Sequence, residues 1–149
     1  MTVSRARASG AVLIGLLLVA CSPSAERRSV PAGTDRIVEL SMEGMRFIPD
    51  RIEVKQGELV AFVVTNPNDI GHEVFIGSEA DQMAHRARHM AVPSADQAGV
   101  PHMGYGIFLP PHGTGVVSYR FDTSGAIMLG CHLPGHWEAG MKALVTVKP

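Results

Sequence analysis

One short loop near the C-terminus limits the folds open to this chain more than any other segment. Between Gly130 and Met141 it places Cys131, His136 and Met141 at Cys-x4-His-x4-Met spacing. A further histidine, His72, opens an apolar segment far upstream. A thiolate, two imidazoles and a weak thioether are the donors of a trigonal copper centre with a long axial methionine. The chain is therefore expected to fold so that His72 meets the loop.

Zinc is the alternative metal for these donors. It prefers a closed four-coordinate shell of Cys and His, and His132 could complete one. Neighbouring residues on an extended chain point in opposite directions, however, so Cys131 and His132 are poorly placed to bind one ion. A two-copper centre would need a second cysteine in the loop, which has only Cys131. The loop thus predicts one copper ion per chain.

The N-terminus predicts export. Two arginines precede an apolar run from Ala11 to Ala20, which is the pattern of a secretory signal and is too short to span a bilayer. The segment from Leu18 to Cys21 resembles the lipobox of bacterial lipoproteins, in which the cysteine becomes the lipidated N-terminus. An ordinary signal cut nearby is the alternative. We expect a lipoprotein signal peptide over residues 1–20, lipidation of Cys21, and a periplasmic or other extracytoplasmic protein anchored by lipid to a bacterial membrane.

The cysteine count agrees with this interpretation. The chain has two cysteines, Cys21 and Cys131. If processing uses Cys21, the mature protein keeps one thiol in an oxidising compartment, where a bound metal would protect it. A disulfide between Cys21 and Cys131 is the competing interpretation.

Composition and length suit one exported domain. Residues 21–35 are rich in Ser, Pro, Ala and Gly and are expected to form a flexible tether, and residues 36–149 a single domain. The formal net charge is −1, and no cluster of Lys and Arg is present. The sequence therefore gives no sign of a nucleic-acid partner.

Short alternating segments indicate β-structure. Val38, Leu40 and Met42 alternate with polar residues, whereas the run from Leu59 to Val64 is continuously apolar, as in a strand buried in a sandwich core. Turns rich in Gly, Pro and Asn separate the segments, and helical periodicity is almost absent. The pattern predicts an all-β protein, an antiparallel β-sandwich.

The stretch from Glu79 to His112, called the insert below, breaks this pattern. A connection this long inside a compact domain is functional or mobile. A helical turn or two around Gln82 to Met90 would place His85 and His89 on one face. Methionine and histidine can bind copper without a second thiol, so the insert is a candidate secondary copper site; the alternative is a polar loop in which these side chains are incidental. The candidate ligands are Met83, His85, His89, Met90, His102 and Met103.

Several segments resemble the cupredoxins, the blue copper proteins, over about residues 36–149. The segments are MRFIP at 45–49, IEVKQGE at 52–58, VTN at 64–66, HEVFIG at 72–77 and CHLPGH at 131–136. They look most like the small periplasmic members related to plastocyanin, azurin and the copper-tolerance proteins. The resemblance implies a Greek-key sandwich with one type 1 copper, whose ligands are His72, Cys131, His136 and Met141.

Two departures from the family pattern matter. An aromatic residue often precedes the cysteine, where this chain has Gly130. The insert is foreign to the simple electron carriers but looks like the copper-tolerance group.

Two functions fit these observations. The insert and the tether favour copper handling, meaning sequestration or delivery in copper tolerance. The His2Cys-Met donor set itself also suits one-electron transfer between respiratory partners, with Leu133 and Trp137 either forming an apolar docking patch beside His136 or shielding the metal. Either function calls for a redox or copper-transfer protein partner. We expect no enzyme activity, because four ligands leave no open position on the metal and no catalytic triad or carboxylate pair is apparent.

Overall fold

The computed structural model describes residues 29–102 and 105–149. The predicted signal peptide, Cys21, the first part of the tether and Met103 lie outside the described residues. No helix within the described part of the chain is long and apolar enough to cross a membrane. The elements are β1 (Arg36–Met42), β2 (Phe47–Ile48), β3 (Arg51–Lys55), β4 (Leu59–Thr65), β5 (His72–Gly77), α1 (Glu79–Met90), a 3-10 segment (Ser94–Gly99), β6 (Gly106–Leu109), β7 (Thr114–Arg120), β8 (Gly125–Gly130) and β9 (Lys142–Lys148).

The strands form two sheets, which confirms the predicted β-sandwich. One sheet has the order β2-β1-β4-β7 and the other the order β3-β9-β8-β5-β6. Two pairs, β1 with β4 and β3 with β9, are parallel rather than antiparallel. The chain passes from the first sheet to the second between β2 and β3 and returns at β4, so strands that are not consecutive become neighbours. Alternation of polar and apolar residues predicts the buried face of a strand but not its partner.

The core lies between the facing sides of the two sheets. The alternation in β1 is confirmed, since Val38, Leu40 and Met42 are all buried. Phe62 of β4 packs edge-on against Phe121, with 6.4 Å between the ring centroids. Cys131 and Met141 belong to the same buried cluster, so both ends of the loop that carries the candidate ligands are packed into the core.

Strand β5 differs from the other strands because both of its faces are covered. All six residues from His72 to Gly77 are buried. One face contacts the core, and the insert lies over the other, with α1 packed on β5 and β8. The helix begins with a capping box in which the Ser78 hydroxyl accepts from the backbone N–H of Asp81 and the Asp81 carboxylate accepts from the Ser78 N–H. The helix has 12 residues and is longer than the one or two turns expected from the sequence.

Buried Gln82 fixes α1 onto the sheet. Its side-chain amide donates to the carbonyl of Phe75 at 3.1 Å and to that of Met128 at 2.7 Å. Its oxygen accepts from His132 Nε2 at 2.8 Å, on the assignment that this nitrogen carries the proton. Since these groups belong to β5, β8 and the Cys131 loop, one side chain sets the position of the helix relative to all three.

Candidate metal centre

The structure brings His72, Cys131 and His136 together where β5 begins and β8 ends. The Nδ1 atoms of His72 and His136 lie 3.1 Å apart, and Cys131 Sγ lies 3.3 Å from His136 Nδ1. All three donor atoms fall within 4.8 Å of one another. His72 and Cys131 are fully buried. Two imidazole nitrogens and one sulfur converging in this way fit a copper ion, which binds both donor types well.

The loop after Cys131 has the turns that the sequence predicts. Gly135 and Gly140 have φ values of +83° and +93°, which L residues with side chains rarely adopt. The backbone N–H of Met141 donates to the carbonyl of His136 at 3.0 Å, and that of Cys131 donates to the carbonyl of Met141 at 3.2 Å. Met141 is fully buried and belongs to the same hydrophobic cluster as Cys131.

Asn66 positions the segment that leads into His72. It is fully buried, and its side-chain amide donates to the carbonyls of Ile70 at 2.8 Å and Pro110 at 2.9 Å. Its oxygen accepts the backbone N–H of Asn68 at 3.1 Å. These bonds tie the turn before His72 to the neighbouring loop, so the imidazole is presented from a fixed backbone.

Burial sets the protonation of the donor atoms in the metal-free protein. It raises the pKa of the Cys131 thiol to about 12, although a hydrogen bond from the backbone of Glu73 acts in the opposite direction. Burial, together with the charge that His136 would carry, lowers the pKa of His72 to about 4, and burial also lowers the pKa of His136. The imidazoles are therefore neutral and able to bind a metal, while the thiol must release its proton as the metal binds.

A second group of donors lies on the opposite side of β5. One carboxylate oxygen of Glu73, Oε2, is 2.9 Å from His89 Nε2, 2.9 Å from His102 Nε2 and 3.3 Å from His85 Nε2. Glu73 and His85 are fully buried, and His89 is 3% exposed. Three of the six candidate ligands of the insert are thus brought together around a residue that sequence reasoning had not selected.

Two methionines of the insert, Met83 and Met90, lie on the protein surface. Met83 is 41% exposed and Met90 is 77% exposed. The histidines of α1 face the sheet, because His85 and His89 are one helical turn apart on the face that also carries Gln82. The sequence signal for Glu73 is its position as the one acidic residue in an otherwise apolar strand that begins with a metal-ligand candidate.

His132 contacts Gln82 and Trp137 and is not part of the group formed by His72, Cys131 and His136, as expected for the neighbour of Cys131. Its ring stacks on Trp137 with 4.4 Å between centroids, and its Nε2 contacts Gln82. Leu133 and Trp137 are each only 8% exposed. Both side chains are packed toward the protein interior, so they do not form an apolar surface patch.

Gly130 explains why the usual aromatic before the cysteine is missing. A Cβ atom at this position would lie 2.6 Å from Gln82 Oε1 and 2.6 Å from Cζ3 of Trp137. Trp137 therefore occupies the space that a side chain at Gly130 would need. The packing of the insert and of the loop depends on this close approach.

Replacing Gly130 by Ala is expected to lower the free energy of unfolding by about 1–3 kcal/mol, because Trp137 and Gln82 must both move. Urea unfolding of the metal-free protein measures the change. Gly99→Ala is the matched control, since a Cβ there meets no atom within 4 Å. Equal unfolding midpoints for the two variants would contradict the prediction.

Comparisons with known proteins agree with this geometry. A family model described as copper binding proteins of the plastocyanin/azurin family matches residues 35–148. A copper-resistant cuproprotein CopI from Rubrivivax gelatinosus is 34% identical over 120 residues, which are 78% of this chain and 69% of that protein. A protein of the same name from Pseudomonas aeruginosa is 27% identical over 143 residues and 79% of each chain.

Two solved structures share the fold. Auracyanin B has a TM-score of 0.67 at 22% identity, over 80% of this chain and 94% of that one. Reduced auracyanin from Roseiflexus castenholzii has a TM-score of 0.65 at 21% identity, over 80% and 100% of the two chains. The fold, the convergent donors and the match over residues 35–148 lead to one conclusion: this chain belongs to the plastocyanin/azurin family of copper-binding proteins.

Proposed function

We propose that this protein handles copper outside the cytoplasm and contributes to copper tolerance through one type 1 copper bound by His72, Cys131, His136 and Met141. The observation that carries the proposal is the convergence of two imidazole nitrogens and one thiol sulfur, with His72 and Cys131 buried and His136 partly exposed. Its similarity to proteins named copper-resistant cuproproteins supports copper tolerance as the biological role. When bound, the copper supplies one-electron redox chemistry and an intense thiolate-to-metal absorption.

The chain's own residues hold the donors and exclude water. Cys131 enters from the end of β8 and His72 from the start of β5, so the two sides of the site are fixed by paired strands. The side chains of Leu133 and Trp137 are buried beside the donor residues of the loop. Because neither side chain is exposed, they support a shielding role and not a docking patch for a redox partner. Copper handling is therefore preferred to electron transfer between respiratory partners.

We also propose that a lipid anchors the protein to a membrane. A signal peptide over residues 1–20 and a lipid on Cys21 would attach the domain to a bacterial membrane through the tether 21–35. A copper-transfer or redox protein would then exchange with the domain at the membrane surface. We propose no catalytic turnover at the copper.

Deleting the gene in its native host is expected to lower the copper concentration that permits growth, while respiratory growth without added copper stays normal. The wild-type gene should restore tolerance, and a Cys131→Ser gene should not. His112→Asn is the control, because His112 is an exposed residue paired with Asp69 and it already has a positive φ that Asn accepts. A respiratory defect with unchanged copper tolerance would overturn this assignment and favour electron transfer.

A further inference from the structure

The group around Glu73 has the composition and shape of a second metal centre. The donor atoms of Glu73, His85 and His89 lie within 4.8 Å of one another, and the Nε2 atom of His102, from the segment after the 3-10 turn, lies 2.9 Å from the same Glu73 oxygen. We propose that Glu73, His85, His89 and His102 bind a second divalent metal ion, with Cu(II) preferred, beside the Cys131 centre. This site does not depend on a role in copper tolerance.

The hydrogen bonds of Gln97 show that His89 Nε2 and Glu73 share either a proton or a metal ion. The Gln97 amide donates to the carbonyls of His89 at 2.8 Å and Val92 at 3.0 Å, so its oxygen must be the atom that faces His89 Nδ1. That oxygen can only accept, and His89 Nδ1 therefore carries a proton. In a neutral ring, Nε2 then presents a lone pair to the carboxylate 2.9 Å away. Two acceptors facing each other in a buried site need a proton or a metal ion between them.

The separations of the donors are those of a coordination shell. Tetrahedral ligands about 2.0–2.1 Å from a metal lie about 3.3 Å from one another. Here the Nε2 atoms of His85 and His89 are 3.1 Å apart, and Glu73 Oε2 lies 2.9–3.3 Å from its three histidines. A small contraction of this kind is expected when hydrogen bonds hold the donors in place of an ion. The donors of Glu73, His85 and His89 need to move apart by only a few tenths of an ångström to admit a metal, and His102 joins them through its contact with Glu73 Oε2.

The donor types select the ion. Three imidazoles and a carboxylate suit divalent copper and zinc, and at a given site of this kind copper binds more tightly. The thioethers of Met83 and Met90 are directed to solvent and do not belong to the set. Because no thiolate takes part, the second ion adds no intense visible band, which separates it spectroscopically from the Cys131 centre.

The two centres are linked through Glu73. This residue follows His72 in β5, and its second carboxylate oxygen accepts the backbone N–H of His132, the residue after Cys131, at 2.6 Å. Occupancy of the second site withdraws charge from the carboxylate and weakens that hydrogen bond. The visible band of the first centre should therefore shift when the second ion binds.

Titration of the purified full chain with CuSO4 tests the proposal, with bound copper measured after equilibrium dialysis. We expect two copper ions per chain, the first with the intense visible band and the second with only the electron paramagnetic resonance signal of nitrogen- and oxygen-ligated Cu(II). ZnCl2 added to protein that already holds one copper should bind with a stoichiometry of one. A chain that binds one copper ion in the first titration and no zinc in the second overturns the proposal.

Histidine variants separate the second site from the first. His102→Asn and His89→Gln should each weaken binding of the second ion at least tenfold and leave the visible band of the first in place. His112→Asn changes an exposed histidine that also contacts a carboxylate, and it should still bind two. Cys131→Ser should show the reverse pattern, with the band lost and the second ion kept. Full retention of two ions in the double variant His89→Gln/His102→Asn would refute the assignment of ligands.

Arg88 distinguishes a metal site from a purely structural cluster of hydrogen bonds. Its Nη2 lies 3.2 Å from His85 Nδ1, and a guanidinium group can only donate. A metal ion on His85 Nε2 would leave the proton of the ring on Nδ1, which would then need a hydrogen-bond acceptor as its neighbour. Arg88→Gln offers an amide oxygen to that proton. We expect the variant to bind the second ion several-fold more tightly than the wild type, and weaker binding would contradict the proposal.

Discussion

The Cys131→Ser variant is expected to lose the intense visible absorption of the copper-loaded protein almost completely. The band arises from a bond between the thiolate and Cu(II), and a serine hydroxyl does not supply a comparable donor. Cys131 Sγ lies 3.3 Å from His136 Nδ1, and no other cysteine is present in the described part of the chain. Absorption spectra of protein loaded with one equivalent of Cu(II) provide the measurement.

Cys21→Ser is the matched control for this experiment. It changes the other cysteine of the chain, which is expected to carry lipid, and it should leave the band unchanged. The same pair of variants also tests the disulfide alternative, because a Cys21–Cys131 bond would occupy the thiol in the wild type and keep the loaded protein colourless. A coloured Cys131→Ser variant would show that the copper centre lies elsewhere.

The Glu73→Gln variant is expected to lower the free energy of unfolding of the metal-free protein by about 3–5 kcal/mol, the cost of breaking a buried ionic network. Burial alone would raise the pKa of Glu73, but hydrogen bonds from His102, His85 and His89 outweigh it and hold the pKa well below its usual range. The carboxylate is therefore ionised, and its neighbours are arranged to suit a negative charge. An amide at this position turns a donor toward groups that also donate, including the backbone N–H of His132 or one of the imidazoles.

Urea unfolding of metal-free wild type and variant measures this effect. Glu53→Gln is the control, because its side chain is 73% exposed and pairs with Lys148 on the surface. That change should alter the free energy of unfolding by no more than about 0.5 kcal/mol. If Glu73→Gln were as stable as Glu53→Gln, the carboxylate would not organise the histidines that pack against β5.

The Cys131 loop could be predicted from the sequence because its information is local. Cys131, His136 and Met141 lie within one loop whose turns are set by Gly135 and Gly140, both of which adopt positive φ. His72 could be identified because it opens a strand, which places it at the edge of the sandwich. The donor atoms of His72, Cys131 and His136 lie within 4.8 Å of one another.

Glu73 could not be predicted in the same way. Alternation in β5 indicates that Glu73 points to the opposite side from His72, and for most strands of a sandwich that side faces water. Here the insert covers it, and nothing in the periodicity of β5 shows that a helix packs on top. The spacing of His85 and His89 predicts a shared helical face, but only the tertiary structure shows that this face contacts the sheet and not solvent.

The parallel pairing of β3 with β9 bears on when the protein can capture its metal. His72 and His136 are 64 residues apart in the chain. The loop that carries Cys131 lies between β8 and β9, and β9 completes its sheet by joining Arg51–Lys55, a strand formed much earlier in the sequence. Closing such distant segments is slow, because chain entropy is lost before the contacts form. The four proposed ligands can therefore be brought together only when folding is nearly complete, so we expect copper to stabilise the finished domain and not to nucleate its folding.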